Sequence, residues 1–490
     1  MTVERDRTRT FTLIELVNAA GTSAQERTAA FDELARTEDY RAIEPLTAMV
    51  LDTSLFDAVR AEASDVVAGF DDVSSPEIRR TWWASGDLVL MRHALRLMGR
   101  GEADIVVPVA GDDTHPLQTT ALAAMFYGFD EPEFVPVIIR ALGHPEPAVR
   151  AAAADTLLWE EPVAAEEALL AAAYDPAIEV AVAAVNTLRY YKSRRVLRAM
   201  ADLCDSGDER VREAAADTFG ELRLHFEGAA EEFDPGSVAL LREWMRPVGD
   251  LIEWPEEVSP PYISSAYISP PTAEPASAIP EDELIAVLDG THAELPYGID
   301  WTAYDPDARR RLVPRLATHP DPITRARACG ILAQWSDTGW LMELTRDRST
   351  SVRKSAMYHL AAVPANPDVA ECARRYLADA EGTTAGEALR TYLAHMDAER
   401  AVPALVEFAR TDPREVIRRE AITCLVERHA DTEIRNLTDL LDEPPRVTWA
   451  VHFTILDGLH TLDLPAPPLD HLRTVDNLDL ISSIALLTAR

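Results

Sequence analysis

The sequence predicts an all-α protein built from tandem helix pairs, an α-solenoid, and three observations predict it. The first is a recurring helical stripe: an apolar residue, an alanine four positions later, and a larger apolar residue four positions after that. The second is a fixed period, since the stripes that start at Val149, Val180 and Val211 lie 31 residues apart. The third is composition, with 47% hydrophobic residues, enough to bury a large core. A fixed period with helical spacing inside each unit is typical of a helical solenoid.

Each stripe predicts the second helix of a pair, and a shorter first helix precedes it. The stripes are Val59/Ala63/Val67, Leu90/Ala94/Met98, Val149/Ala153/Leu157, Val180/Ala184/Leu188 and Val211/Ala215/Phe219, with looser copies at Thr324/Ala328/Leu332, Val352/Ala356/Leu360, Thr384/Ala388/Tyr392 and Ile417/Ala421/Leu425. Several first helices carry a proline inside an apolar frame, as at Pro314 and Pro403. Proline removes one helix hydrogen bond and bends the axis. Proline-rich turns such as 144–147 separate the two helices, because the residue before a proline avoids the helical conformation.

Three units read V-R-x-x-A-x-D, starting at Val59, Val149 and Val211. This motif resembles HEAT repeats, especially the short bacterial type also found in phycobilin lyases, over roughly residues 39–225 and 301–461. The resemblance implies a right-handed solenoid of about 11 helix pairs whose second helices line a concave face. It also implies a ladder of arginine and aspartate between neighbouring units. The residues assigned to that ladder by resemblance are Arg60, Asp65, Arg150, Asp155, Arg212 and Asp217.

A Pro-rich acidic insertion interrupts the predicted array. Residues 226–300 hold 16 acidic and 2 basic residues, and seven prolines fall within 255–280. We therefore expect an N-terminal array with capping helices over 1–225, the insertion over 226–300, and a C-terminal array over 301–490, where 467–490 caps the end. The prolines favour a stiff, extended path that Trp254, Tyr262 and Tyr267 could anchor. Packing along the scaffold, a mobile acidic linker and a partner-binding motif all fit this composition.

The charge of the chain is strongly negative, at -36 from 47 basic and 83 acidic residues. Such a field opposes binding to a phosphate backbone or an anionic membrane, and it suits a partner protein that is basic. No apolar run reaches the 18 to 20 residues that span a bilayer, and the first 21 residues lack the pattern of a signal peptide. The four cysteines form no C-x-x-C pair. We expect a cytoplasmic protein with reduced thiols.

One segment stands out as a candidate binding site, because it is basic and aromatic in an acidic chain. Its candidate partner-binding residues are Tyr190, Tyr191, Lys192, Arg194, Arg195 and Arg198. The cluster could pair with the acidic insertion of the chain itself, bind an acidic protein, or contact nucleic acid. Trp82 and Trp83 are further candidates, since neighbours on a helix diverge by about 100° and at most one can point fully into the core.

No catalytic or metal-binding motif accompanies these residues in the sequence. The histidines His452 and His460 lack an H-E-x-x-H motif, and no G-x-S-x-G, Walker or dinucleotide fingerprint occurs. We therefore predict no catalytic residue, metal or cofactor. The sequence favours a noncatalytic scaffold or adaptor that binds a protein partner through the concave face. The alternatives left open by the repeat type are a HEAT-like DNA glycosylase and a phycobilin-lyase-like chaperone or lyase.

Overall fold

A computed structural model describes residues 7–488, apart from 20, 38, 71–75, 126–133, 159–161, 229–234, 253–278, 290–298 and 380–381. The described residues form α-helices joined by turns and short 3-10 segments, and none of them lies in a β-strand. The helices are α1 (Arg7–Asn18), α2 (Ala24–Thr37), α3 (Ile43–Leu51), α4 (Asp57–Val67), α5 (Pro76–Trp83), α6 (Leu88–Leu97), α7 (Ala103–Ala110), α8 (Gln118–Ala124), α9 (Val135–Ala141), α10 (Pro147–Thr156), α11 (Glu166–Ala172), α12 (Ile178–Leu188), α13 (Arg194–Leu203), α14 (Glu209–Gly228), α15 (Pro235–Met245), α16 (Glu281–Asp289), α17 (Pro306–Ala317), α18 (Pro322–Gln334), α19 (Thr338–Leu344), α20 (Thr350–Leu360), α21 (Pro367–Asp379), α22 (Gly382–Ala394), α23 (Ala398–Thr411), α24 (Glu415–Glu427), α25 (Asp431–Asn436), α26 (Ala450–Thr461) and α27 (Leu478–Thr488).

The predicted stripes form the buried faces of the second helices. In α12, Val180, Ala184 and Leu188 have no exposed surface, and Ala153 in α10 is equally buried. The small alanine at the centre of each stripe lets two helices approach closely, while the larger residues at its ends fill the space between units. The all-α fold class and the helix-pair unit are thus confirmed. The right-handed path and the number of pairs stay predictions.

The chain divides into two compact units, each formed from two separate stretches. The first unit comprises residues 1–102 and 267–396. In it α1 packs on α2, α3 on α4 and α5 on α6, and the second helices α2, α4 and α6 contact one another in order. The later stretch repeats this arrangement, with α17, α19 and α21 packed on α18, α20 and α22. Each pair buries the apolar face of its neighbour, as expected for tandem repeats.

The second unit comprises residues 103–266 and 397–490. Its first stretch stacks the second helices α8, α10, α12 and α14, and its last stretch packs α24 on α26 and α26 on α27. The C-terminal helix α27 also packs on α15, more than 230 residues earlier in the chain, and Ser237 Oγ donates to Ala485 O at 3.0 Å. A further link joins Val163 N to Val447 O at 2.8 Å. In this unit, therefore, α27 packs on a helix distant in sequence as well as on the preceding α26.

The insertion expected at 226–300 contains ordered helices at both ends. Helix α15 buries Val238, Leu241 and Trp244, and helix α16 buries Leu284 and Leu288 against α17. The expected extended proline-rich path, with Trp254, Tyr262 and Tyr267, falls in 253–278, outside the described residues. The three-part division at 225 and 300 stays a prediction based on composition. Among the described residues, no helix has the length and apolar character needed to cross a membrane.

Candidate functional site: the α13 groove

Helix α13 brings the charged residues of the basic segment onto one exposed face. Ser193 starts the helix, because its Oγ accepts a hydrogen bond from Val196 N at 3.2 Å. Val196, Leu197 and Met200 are buried against the neighbouring helices. Residues four apart lie above one another on a helix, so Arg194, Arg198 and Asp202 form a stripe on the opposite face.

A groove of about 600 Å³ opens beside this stripe, between α11, α13 and residues 246–248. We call it the α13 groove. Its apolar surface is provided by Leu170, Ala199, Pro247 and Val248. Its polar surface is provided by Tyr174, Arg194, Arg195, Arg198, Asp202 and Asp476. The groove therefore combines apolar surface with a few charged groups, which is the usual composition of a ligand-binding site.

Arg194 is locked in place by the C-terminal segment. Asp476 accepts from Arg194 Nε at 2.6 Å and from the Arg194 backbone N–H at 3.0 Å, both at Oδ1. Arg194 Nη1 also donates to Trp244 O at 2.8 Å, and its guanidinium carbon lies 4.3 Å from the centre of the Trp244 ring. Asp476 thus satisfies backbone donors that the start of a helix leaves without partners, from a residue 282 positions away. These contacts fasten α27 to α13 and α15.

Arg195 is more exposed than its neighbour, with 58% of its side chain accessible. Its Nη2 lies 3.0 Å from Glu166 Oε1, and its Nε lies 3.7 Å from Asp476 Oδ2. Glu166 also accepts from Ser193 Oγ at 2.8 Å. Burial raises the pKa of the Glu166 carboxyl, and the Ser193 hydroxyl and Arg195 guanidinium act in the opposite direction.

Arg198 binds two residues of the insertion expected at 226–300. It makes two bonds to the Asp250 carboxylate, at 2.6 and 2.8 Å, and donates to Pro247 O at 2.9 Å. The hydrogen bonds from Arg198 are the main reason that the pKa of the Asp250 carboxyl lies below its usual value. The basic cluster is consequently paired with acids of its own chain, in part with the insertion as the sequence suggested and in part with the C-terminal segment.

The other candidate residues lie outside the groove. Tyr191 is 5% exposed and donates through its hydroxyl to Pro162 O at 3.2 Å. Tyr190 is partly buried. Lys192 Nζ lies 2.9 Å from the Asp479 carboxylate, and Lys192 O accepts from Leu478 N. These contacts place Tyr191 and Lys192 in the packing of the second unit.

The adjacent tryptophans of α5 diverge as helix geometry requires. Trp82 is 8% exposed and its ring centre lies 5.0 Å from that of His93, whereas Trp83 is partly exposed. Both belong to the first unit and neither lines the α13 groove.

Two of the arginines assigned to the ladder bind an acid in the turn before the next second helix. Arg150 pairs with Asp175 through two bonds of 2.7 and 2.8 Å and donates to the carbonyl oxygens of the turn before α10. Arg60 Nη2 donates to Asp87 Oδ2, at the start of the next second helix, at 3.0 Å, and its Nη1 donates to Asp57 Oδ1 of its own helix at 3.1 Å.

The aspartates assigned to the ladder stand elsewhere. Asp65 pairs with Arg96 of the next second helix. Asp155 and Asp217 are exposed, and no described contact joins them to Arg150 or Arg212. Arg212 itself donates to Ser206 O at 2.8 Å. Arg60, Arg150 and Asp65 thus bind residues of the next repeat, and Arg212 binds the turn before its own helix.

Seven of the ten residues that line the groove were not predicted from the sequence. Leu170 and Tyr174 lie on and just after α11, and nothing in their spacing separates them from other residues of first helices. Asp476 lies nearly 300 residues from Arg194, so no local signal could pair the two. In the described part of the chain, no group of three histidine, cysteine or acidic residues is arranged to hold a metal ion.

Comparisons with known proteins identify the type of repeat in this chain. The HEAT repeats family matches residues 166–252, a range that contains α11 to α15 and nine of the ten residues lining the groove. No curated protein matches the chain.

Solved structures similar to this chain share little sequence with it. The Kap95:Nup1 complex is 13% identical over 93% of this chain and 68% of that one, with a TM-score of 0.29. Human deoxyhypusine hydroxylase in complex with glycerol is 16% identical over 44% of this chain and 96% of that one, with a TM-score of 0.26. A designed armadillo repeat protein is 15% identical over 43% of this chain and 98% of that one, with a TM-score of 0.23. With TM-scores this low, no conclusion about function rests on these structures. The helix pairs and the family match together identify residues 166–252 as HEAT repeats and this protein as one that contains them.

Proposed function

We propose that this protein is a noncatalytic recognition module that binds a segment of a partner protein in the α13 groove. The observation that carries the proposal is the open groove of about 600 Å³ within the HEAT repeats, which presents apolar and charged groups side by side. Leu170 and Ala199 offer surface from which an apolar side chain of the partner would displace water. The rim of charged groups would then set orientation and specificity.

The groove lies on the side of the first helices. Its walls are α11, α13 and residues 246–248, whereas α12 and α14 are the second helices of the same pairs. The repeat type led us to expect recognition through the second helices, whereas this groove opens beside the first helices. The proposal therefore moves the binding face to the first helices.

Nucleic acid fits this site poorly. A phosphate backbone requires cations that are available to release counterions. Arg194 and Arg198 instead donate to Asp476 and Asp250, in a chain whose net charge is -36. A DNA glycosylase therefore gains no support from this cluster.

A matched pair of variants tests the proposal. Leu170→Gln places a polar group in the wall of the groove, and Leu224→Gln makes the same change on α14, where Leu224 is 70% exposed. A partner captured by the wild-type chain, once purified, is titrated against both variants. We expect Leu170→Gln to weaken binding about tenfold, because burying a leucine side chain contributes about 1.5–3 kcal/mol. Leu224→Gln should bind like the wild type.

Folding is controlled by comparing thermal unfolding of the two variants. Equal affinity of Leu170→Gln and Leu224→Gln would remove the groove from the interaction. Turnover of a substrate by the wild-type chain, lost in Leu170→Gln, would overturn the noncatalytic role.

A further inference from the structure

The charges of the three arginines that line the α13 groove are offset by acids of the same chain. Arg194 binds Asp476, Arg195 contacts Glu166, and Arg198 binds Asp250. Each guanidinium therefore has a carboxylate of the same chain. Asp202 is the fourth acid, and the described residues place no hydrogen bond or ion pair on its carboxylate.

Asp202 and Tyr174 stand together as the surface of the groove that remains available. Both side chains are exposed, Tyr174 by 56%, and both line the cavity. Burial is the main cause that raises the pKa of the Tyr174 hydroxyl, and the negative charge of Asp202 adds to it. Arg198, one turn before Asp202 on α13, gives its two hydrogen bonds to Asp250, and Asp202 acts on its guanidinium through charge alone.

An exposed aromatic ring beside a carboxylate that accepts no hydrogen bond is the combination that attracts a cationic side chain. A lysine or arginine gains electrostatic attraction to the ring face and an ion pair with the carboxylate. The Asp476–Arg194 contact cannot readily open to admit an acidic ligand instead, because α27 buries Leu480, Ile481 and Ile484. The net charge of -36 would further steer a basic partner toward the chain.

We infer that the α13 groove selects a basic segment of its partner, with Tyr174 and Asp202 receiving a lysine or arginine side chain while Leu170 and Ala199 contact an adjacent apolar residue. This inference rests on the proposed function of the groove. It assigns the opposite charge preference from the one that the arginine-rich sequence of α13 suggests on its own.

The test is a selection of random dodecapeptides displayed on phage against the full-length chain. Peptides are collected separately on the wild type, on Asp202→Asn and on Asp32→Asn, a matched control in which an exposed aspartate of α2 loses the same charge. Peptides that also bind Leu170→Gln are discarded, so that only groove-dependent sequences are counted.

We expect the wild type and Asp32→Asn to enrich lysine and arginine beside an apolar residue, and Asp202→Asn to lose that enrichment. A synthesised winning peptide should bind Asp202→Asn about three- to fivefold more weakly than the wild type, as for an exposed ion pair. Tyr174→Phe should retain affinity and Tyr174→Leu should lose it, since the ring face rather than the hydroxyl provides the attraction.

The outcomes separate the two proposals. Groove-dependent peptides with the same composition on the wild type and Asp202→Asn, or peptides rich in aspartate and glutamate on the wild type, would overturn the basic preference and leave the groove as a binding site. Recovery of no groove-dependent peptide would contradict the proposed function and this inference together.

Discussion

Arg194 and Arg195 are neighbours in sequence, and the structure predicts very different results when each is replaced by alanine. Arg194 makes a charge-assisted bond to Asp476, a bond to Trp244 O and a contact with the Trp244 ring. Only 21% of its side chain is exposed, and only 18% of that of Asp476. Hydrogen bonds to charged groups contribute about 1.5–3 kcal/mol each, so Arg194→Ala should lower the free energy of unfolding of the second unit by about 3 kcal/mol.

Arg195→Ala should have a much smaller effect, because the side chain is 58% exposed and its pairs are screened by water. Exposed ion pairs contribute at most about 1 kcal/mol. Both variants keep the backbone N–H groups that donate to Asp476, so the comparison isolates the guanidinium.

Hydrogen exchange measured by mass spectrometry over residues 475–488 reads this difference directly. Arg194→Ala should speed exchange in α27 by roughly a hundredfold, the equivalent of about 3 kcal/mol, and Arg195→Ala by no more than about fivefold. Similar exchange rates in the two variants would refute the view that Arg194 holds α27 against α13, and would make its guanidinium a group available to a partner.

Three further predictions concern the scaffold. Burial lowers the pKa of His93 from 6.5 to about 4, so between those pH values the unfolded chain binds a proton that the folded chain does not. The free energy of unfolding should therefore fall by up to about 3 kcal/mol as the pH drops through this window, and urea titrations should show a smaller fall for His93→Gln. Arg150→Ala should lower the free energy of unfolding by about 2 kcal/mol through loss of the two bonds to Asp175, whereas Arg212→Ala loses one bond to Ser206 O and should lower it little. Equal shifts of the melting temperature in the two variants would contradict a stabilising pair between Arg150 and Asp175 of the next repeat. Gly458→Ala should lower the free energy of unfolding by about 1–3 kcal/mol, because the new Cβ would lie 2.8 Å from Val426 Cγ2. Gly220→Ala in α14 meets open space and should raise the free energy of unfolding by up to about 1 kcal/mol, so melting temperatures that shift in the same direction for both variants would count against the packing of α24 on α26.

The sequence was informative wherever the cause of the structure is local. The stripe of Val180, Ala184 and Leu188 could be predicted because helical spacing alone places these side chains on one face. The prolines in the turns likewise mark helix ends through their own backbone geometry. The fold class follows from these short-range rules repeated along the chain.

The candidate site depended on contacts between distant residues, which no local rule provides. The basic segment was recognisable, but Asp476 and Asp250, which neutralise it, lie 282 and 52 residues away from their partners. The same limit applies to the ladder, since the acid that Arg150 binds is Asp175 in the following turn, outside the repeated V-R-x-x-A-x-D motif. Charge read along the chain indicated a cationic surface, whereas in the structure each arginine of the groove binds an acid and Asp202 accepts no described hydrogen bond.

The most direct test of the central claim is the position at which a bound partner touches the chain. Tyr174 in the groove and Tyr358 in α20 are exposed by similar amounts, 56% and 60%, and each can be replaced by photoreactive benzoylphenylalanine. If the α13 groove is the recognition site, light should join the partner to the chain through position 174 and leave position 358 without a crosslink. Crosslinking through position 358 with none through position 174 would contradict the account.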